Sequence, residues 1–222
     1  MKFLQAKKGI QYLYHEAIVS MVFALVCLIE TLCSVFDASE PILIIVSILV
    51  YIALALTLAG LILQILGILK AALDEPIFIK ALYIIIICAI FEIIGAILEK
   101  LLGSEDSIIY IINAIGDFSR IFVMTYVIKG IYSIFNKLGK IDIVKNANKM
   151  CTWIIISLSL ALLLNIIPLF GTNEKEIVNY IHVACGVISD VIEFAVSLNF
   201  LLFFRIIIQN FDTNDKSIES NQ

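Results

Sequence analysis

Six long apolar runs separated by short polar segments constrain the fold of this chain more than any other feature. A helix rises 1.5 Å per residue, so about 20 apolar residues cross the roughly 30 Å hydrocarbon core of a bilayer. A helix also satisfies its backbone polar groups within one segment, so the runs predict six transmembrane helices. They cover residues 12–33, 41–66, 77–98, 108–128, 151–170 and 177–204.

The composition supports the same class of protein. Hydrophobic residues make up 62% of the chain and charged residues only 15%, whereas soluble domains average about 45–50% and about 25%. This balance excludes a soluble enzyme, a disordered regulator and a nucleic-acid-binding protein. We therefore expect an all-α, multi-pass membrane protein in contact with a lipid bilayer.

The distribution of basic residues predicts the orientation of the chain in the membrane. Three lysines precede the first helix, two flank the second connection, five occupy the fourth, and two basic residues follow the last helix. The opposite side carries only two lysines. Since short cytoplasmic loops are enriched in Lys and Arg, both termini are predicted to be cytoplasmic. The excess of lysine over arginine and the frequent isoleucine are typical of an AT-rich genome, and favour a bacterial plasma membrane.

Similar residues recur where the predicted helices begin and end. Lys8, Lys80 and Lys149 each precede an aromatic residue by about one helical turn, and they are 72 and 69 residues apart. Gly67 and Gly130 follow the second and fourth apolar runs. The pattern favours three tandem, parallel two-helix repeats at 1–70, 71–140 and 141–211, followed by a polar cytoplasmic tail at 212–222. Interfacial anchoring alone could also produce it.

The longest predicted connection, residues 130–149, alternates apolar and basic positions at helical spacing. This pattern predicts an amphipathic continuation of the fourth helix that lies along the cytoplasmic interface. Its lysines are candidates for contact with lipid headgroups or with a protein partner: Lys137, Lys140, Lys145 and Lys149.

Five ionisable residues fall near the middle of the predicted spans: Glu92, Asp117, Arg120, Asp190 and Glu193. Such groups cost about 2.5–3.5 kcal/mol each on insertion scales, so they normally face the bundle interior and have partners. The simplest arrangement brings the third, fourth and sixth helices together, with Arg120 among four acids. Because these acids cannot all be ionised in a dry interior, the cluster predicts protonated carboxyls, or a bound cation or water.

Two classes of function are compatible with this cluster. In a small transporter or permease-type subunit, it would bind a proton, a cation or a cationic substrate. In a non-catalytic scaffold, regulatory or immunity-type subunit, it would only fix helix packing, and function would depend on a protein partner or a homo-oligomer.

Motifs for enzyme chemistry are absent from the sequence. His15-Glu16 begins like an HExxH zinc motif, but the second histidine is missing. The chain also lacks the GxSxG elbow, the Walker lysine loop and the CxxC motif. We therefore predict no enzymatic activity, no metal site and no cofactor.

Overall fold

The computed structural model describes residues 3–36, 39–102, 107–166 and 175–219. Within these ranges, side chains are described except at residues 92, 95–96, 99–102, 107–114, 116–117, 165–166, 175–182 and 212–219. The described residues form six α-helices: α1 (Leu4–Val35), α2 (Glu40–Ala72), α3 (Ile77–Leu102), α4 (Ser107–Lys137), α5 (Ile141–Ile166) and α6 (Lys175–Glu219). These helices confirm the predicted six-helix, all-α architecture.

The helices are long and apolar enough for a multi-pass membrane protein. The described residues include five helices of sufficient length and hydropathy to cross a bilayer, and a shorter apolar stretch at Ile77–Phe91 in α3. Large apolar side chains point away from the protein, most of all on α2, where Leu58 is 67% exposed. In a soluble protein so much exposed apolar surface would cause aggregation, whereas here it contacts lipid.

The helices form a ring. Each helix packs against the helices before and after it in the sequence, and α6 packs against α1. Successive helices are antiparallel, and contacts of Ala6 with Asp74, of Lys137 with Glu75 and of Lys140 with Asn210 bring the start of α1, the loops 73–76 and 138–140 and the C-terminal part of α6 to one end of the bundle. We call this the lysine-rich end, which is the predicted cytoplasmic side.

The lysine-rich end contains the main hydrophobic core. Every helix contributes buried apolar residues to this cluster. Its largest fully buried side chains are Phe78, Phe135, Phe204, Ile10, Leu13, Ile68, Ile128, Ile131, Ile134, Ile154 and Ile207. This dense packing makes the lysine-rich end a fixed base for the polar residues that lie deeper in the membrane.

The short loop between α2 and α3 ties this base together. The Asp74 carboxylate accepts a hydrogen bond from the backbone N–H of Ala6 at 2.7 Å, and so caps the first turn of α1. Glu75 is only 4% exposed and accepts hydrogen bonds from Lys137 Nζ and Ser133 Oγ near the end of α4. The two adjacent acids therefore join the loop between α2 and α3 to α1 and α4.

Glycine allows the close contact between α1 and α2. A Cβ on Gly67 would lie 2.8 Å from the Gly9 carbonyl oxygen, which is too close for a side chain. Ala53 and Gly60 lie buried on the same side of α2. Ala55 and Ala59, one turn apart on the same helix, are both exposed and are not part of this contact.

The prediction of an amphipathic interfacial segment at residues 130–149 was also wrong. Helix α4 continues through Lys137, the chain turns at Gly139 with a positive φ of 71°, and α5 begins at Ile141. Ile131 and Ile134 are fully buried in the core rather than laid on a membrane surface. The helical spacing was correct, but its apolar face packs against the other helices.

The structure has the three two-helix hairpins that the predicted repeats require. That the hairpins arose by duplication stays a prediction. The loops 73–76 and 138–140 divide the chain into three helical hairpins. In the first two, a glycine near the end of the second helix permits close contact: Gly67 with Gly9, and Gly130 with Phe78. Helix α6 continues to Glu219, past the predicted start of the polar tail at 212, so the terminal segment is at least partly helical.

Candidate functional site

Three of the five predicted mid-membrane residues have described side chains, and they lie in one region. Arg120 projects from α4, and Asp190 and Glu193 project from α6. The side chains of Glu92 and Asp117 are outside the described residues, so their predicted place in the cluster stays a prediction.

An ion pair connects α4 with α6. Arg120 Nη1 lies 3.2 Å from Glu193 Oε2, and the two side chains are 37% and 29% exposed. The long arginine side chain thus reaches across the ring between two helices that are not consecutive. Because both side chains are partly exposed, the surrounding protein does not seal the pair.

Asp190 is bonded to α1 instead. Thr31 Oγ1 donates a hydrogen bond to Asp190 Oδ2 at 2.6 Å. Asp190 also interacts electrostatically with Glu193, one turn further along the same face of α6. Thr31 is four residues from the end of α1 at Val35, and Asp190 is fifteen residues after the start of α6 at Lys175, so the mid-membrane depth of Asp190 stays a prediction.

Glu16 of α1 belongs to the same region, although the sequence-based candidates omitted it. Its carboxylate accepts a hydrogen bond from Ser20 Oγ at 2.7 Å and interacts electrostatically with Arg120. The polar region therefore extends along α1 toward the lysine-rich end, where that helix begins.

The sequence did contain a signal for the contribution of α1. Glu16, Ser20, Cys27 and Thr31 are spaced by four, seven and four residues, so they share one helical face. Cys27 lies close enough to Asp190 and Glu193 to interact with both. This stripe faces α6, which packs directly on α1.

The predicted grouping of the third, fourth and sixth helices did not include α1, and the place of α3 in it stays a prediction because the Glu92 side chain is outside the described residues. Helix α1 packs beside α6 and supplies the partners of Asp190 and Arg120, whereas α3 packs against α2 and α4. We call the group formed by Glu16, Arg120, Asp190 and Glu193 the acidic seam. Three acids and one arginine give it a formal charge of −2.

The seam is extended along the membrane normal. Glu16 and Thr31 are fifteen residues apart on α1, a distance of about 22 Å along a helix axis. The acids are therefore arranged in succession and can hold protons or small cations at several depths. In the part of the chain with described side chains, no group of three or more His, Cys, Asp or Glu residues is placed to hold a metal ion.

The four lysines predicted to contact headgroups or a partner occupy different settings. Lys137 pairs with Glu75, and Lys140 Nζ donates to the Asn210 carbonyl oxygen at 2.9 Å. Lys145 and Lys149 are exposed on α5. Two of the four thus contribute to contacts within the chain, and Lys145 and Lys149 remain as exposed candidates for external contact.

Comparisons with protein-family models, with curated proteins and with solved structures found no match to this chain. Any functional conclusion must therefore come from the geometry of the residues themselves.

Proposed function

We propose that the protein is a small transporter or permease-type subunit of a bacterial plasma membrane, and that protons move along the acidic seam. The observation that carries this proposal is an excess of carboxylates around one arginine. Glu193 pairs with Arg120, Glu16 interacts electrostatically with Arg120, and Asp190 interacts with Glu193 one turn away on α6. A structural ion pair needs one acid for one arginine. The two additional acids attract positive charge into the membrane interior.

Hydrogen-bonding side chains support protons rather than a metal ion as the mobile charge. Glu16 has Ser20 as its hydroxyl partner and Asp190 has Thr31. Hydroxyl groups both donate and accept, so they suit carboxyls that alternate between protonated and ionised forms. Successive carboxyls of this kind form the proton relays of many membrane pumps and transporters.

The partial exposure of Arg120 and Glu193 supports access by water. Charged groups facing lipid would be costly, so the exposed fraction of this pair is best accommodated on the inner side of the helix ring. Water there would connect the seam to one side of the membrane. A proton-coupled substrate would be bound in the same space.

The test is proton flux into liposomes that contain the full-length protein and an internal pH-sensitive dye, driven by a potassium diffusion potential. We expect wild-type flux, and a reduction of about tenfold or more in Asp190→Asn and in Glu16→Gln, because each removes one relay carboxyl. Asp142→Asn makes the same chemical change at an exposed position at the start of α5 and should leave flux unchanged.

The alternative is a scaffold, regulatory or immunity-type subunit that acts through a protein partner. It predicts no specific flux in the wild type, or equal residual flux in Asp190→Asn and Asp142→Asn. Under this alternative, neutralising the exposed Lys145 and Lys149 should abolish function instead. Lys137 is unsuitable for that test because its loss would also leave the buried Glu75 without its cation.

A further inference from the structure

Two lysines near the lysine-rich end share one aromatic ring between α3 and α4. Lys80 Nζ lies 5.8 Å from the centroid of the Tyr126 ring, and Lys129 Nζ lies 5.6 Å from it. An ammonium group within about 6 Å of a ring is attracted to the negative π face. The Tyr126 side chain thus attracts two ammonium groups. The distance between their two Nζ atoms cannot exceed the sum of the two distances to the ring centroid.

No described carboxylate neutralises the charge of this pair. Among the described residues, neither Lys80 nor Lys129 forms an ion pair with a carboxylate, and both side chains are exposed. Lys137, by contrast, is paired with Glu75. Two neighbouring ammonium groups repel each other, so an anion bound between them would be favourable.

The position of the pair suits the headgroup region of a bilayer. Lys80 is three residues after the start of α3 at Ile77, and Lys129 directly follows the fourth apolar run. Tyr83 on the same face of α3 is 62% exposed, and Phe122 on the same face of α4 is 42% exposed. Both lie deeper than the lysines, where acyl chains would run.

We propose that Lys80, Lys129 and the Tyr126 ring form a binding site for the phosphate of an anionic phospholipid, with its acyl chains against Tyr83 and Phe122. Clustered basic residues between helices on the cytoplasmic side of a membrane recognise anionic headgroups in this way. The site uses other lysines than the four that the sequence predicted for contact with headgroups or a partner. Two of those four, Lys137 and Lys140, are already bonded within the chain. It is also separate from the acidic seam and does not depend on its function.

The experiment measures binding of phosphatidylglycerol to the full-length protein in neutral detergent by native mass spectrometry. Lys80→Gln with Lys129→Gln should weaken binding about thirtyfold, or about fivefold for each lysine. Lys8→Gln with Lys70→Gln removes the same charge from exposed positions on α1 and α2 and should leave binding unchanged. Tyr126→Leu should weaken binding to an intermediate degree, since it keeps both charges and removes the ring.

Further arms separate the lipid from free phosphate and from a general charge effect. Phosphatidylcholine should bind equally to all variants, and millimolar inorganic phosphate should not displace phosphatidylglycerol. Displacement by inorganic phosphate, or equal loss in the two double variants, would overturn the proposal. If the double glutamine variant does not fold, two other variants test the proposal. They are the double arginine variant, Lys80→Arg with Lys129→Arg, and the single variant Tyr126→Leu. Full binding by Tyr126→Leu, or loss of binding in the arginine variant, would also overturn it.

Discussion

Glu75 and Glu193 both accept a hydrogen bond from a cation on α4, but their surroundings differ. Glu75 is 4% exposed, and Lys137 and Ser133 both donate to it at the lysine-rich end. The Glu193 side chain is 29% exposed and lies 3.2 Å from Arg120 within the membrane-spanning region. The first carboxylate is buried and neutralised, and the second remains accessible.

The difference shows how a structural ion pair can be distinguished from a candidate functional one. Around Glu75 one cation balances one acid, within a core that includes the buried Phe78 and Phe135. Around Glu193, a single arginine pairs with Glu193 and also interacts electrostatically with Glu16, while Asp190 interacts with Glu193 itself. Helix packing requires only the first kind of balance, so we attribute the excess acid of the seam to function.

The largest effect on stability is expected at the balanced pair. Lys137→Met should lower the free energy of unfolding by about 3 kcal/mol, because it leaves the buried Glu75 without its cation. Glu75→Ala should cost less, about 2 kcal/mol, since the side chain of Lys137 is 48% exposed and its ammonium can reach water. Unfolding in mixed detergent micelles measures both values. If Lys137→Met and Glu75→Ala lose the same free energy of unfolding, Glu75 does not depend on Lys137 for its charge balance.

The neighbouring Asp74 should contribute less, although it lies in the same loop. Asp74→Ala removes the carboxylate that caps α1 through the Ala6 N–H, and such a loss costs about 1 kcal/mol. Hydrogen exchange should show faster exchange confined to the first turn of α1. Asp142→Ala is the control, because Asp142 is exposed. Unchanged protection of Ala6 would contradict the capping role.

Breaking the seam pair should have a still smaller effect on stability. Arg120→Gln should cost about 0.5–1 kcal/mol, because the pair is about one third exposed and its attraction is screened. The same detergent unfolding assay measures it, and the loss should shrink as monovalent salt is added, since cations can then balance the remaining acids. A salt-independent loss as large as that of Lys137→Met would mean that the seam pair is structural.

The smallest effect concerns Lys140, in the loop between α4 and α5. Burial lowers the pKa of its ammonium from the usual 10.5. The charged form is thus disfavoured in the folded state, and the free energy of unfolding should rise as pH increases from the lowered pKa to 10.5. Lys140→Gln should lack this small rise in a pH series of unfolding midpoints, whereas Lys145→Gln should retain it. The absence of a difference would show that Lys140 is fully hydrated.

The fold followed from the sequence because the membrane imposes a simple rule on apolar runs. Their length predicted all six helices. The partners of the loop acids could not be predicted in this way. Asp74 and Glu75 stand just before α3 in the sequence, but they bond to Ala6 and Lys137, 68 and 62 residues away.

The seam was only partly predictable for the same reason. The energetic cost of charge in a membrane singled out Arg120, Asp190 and Glu193 without any knowledge of their neighbours. Their partners depend on which helices are adjacent, and that is decided by packing at the lysine-rich end. The polar stripe of α1 that includes Glu16 and Thr31 was visible in the sequence. Nothing in its spacing indicated that it would face α6.

The most direct test of the account is to measure proton flux and thermal unfolding on the same preparations of Glu193→Ala and Glu75→Ala. We predict that Glu193→Ala loses flux and keeps an unfolding midpoint close to that of the wild type, because in the proposed function Glu193 serves proton movement rather than helix packing. Glu75→Ala should unfold at a lower temperature and keep flux in proportion to its folded fraction. If Glu193→Ala is the less stable variant and the flux of its folded fraction is normal, the acidic seam is a packing element and the proposed function is wrong.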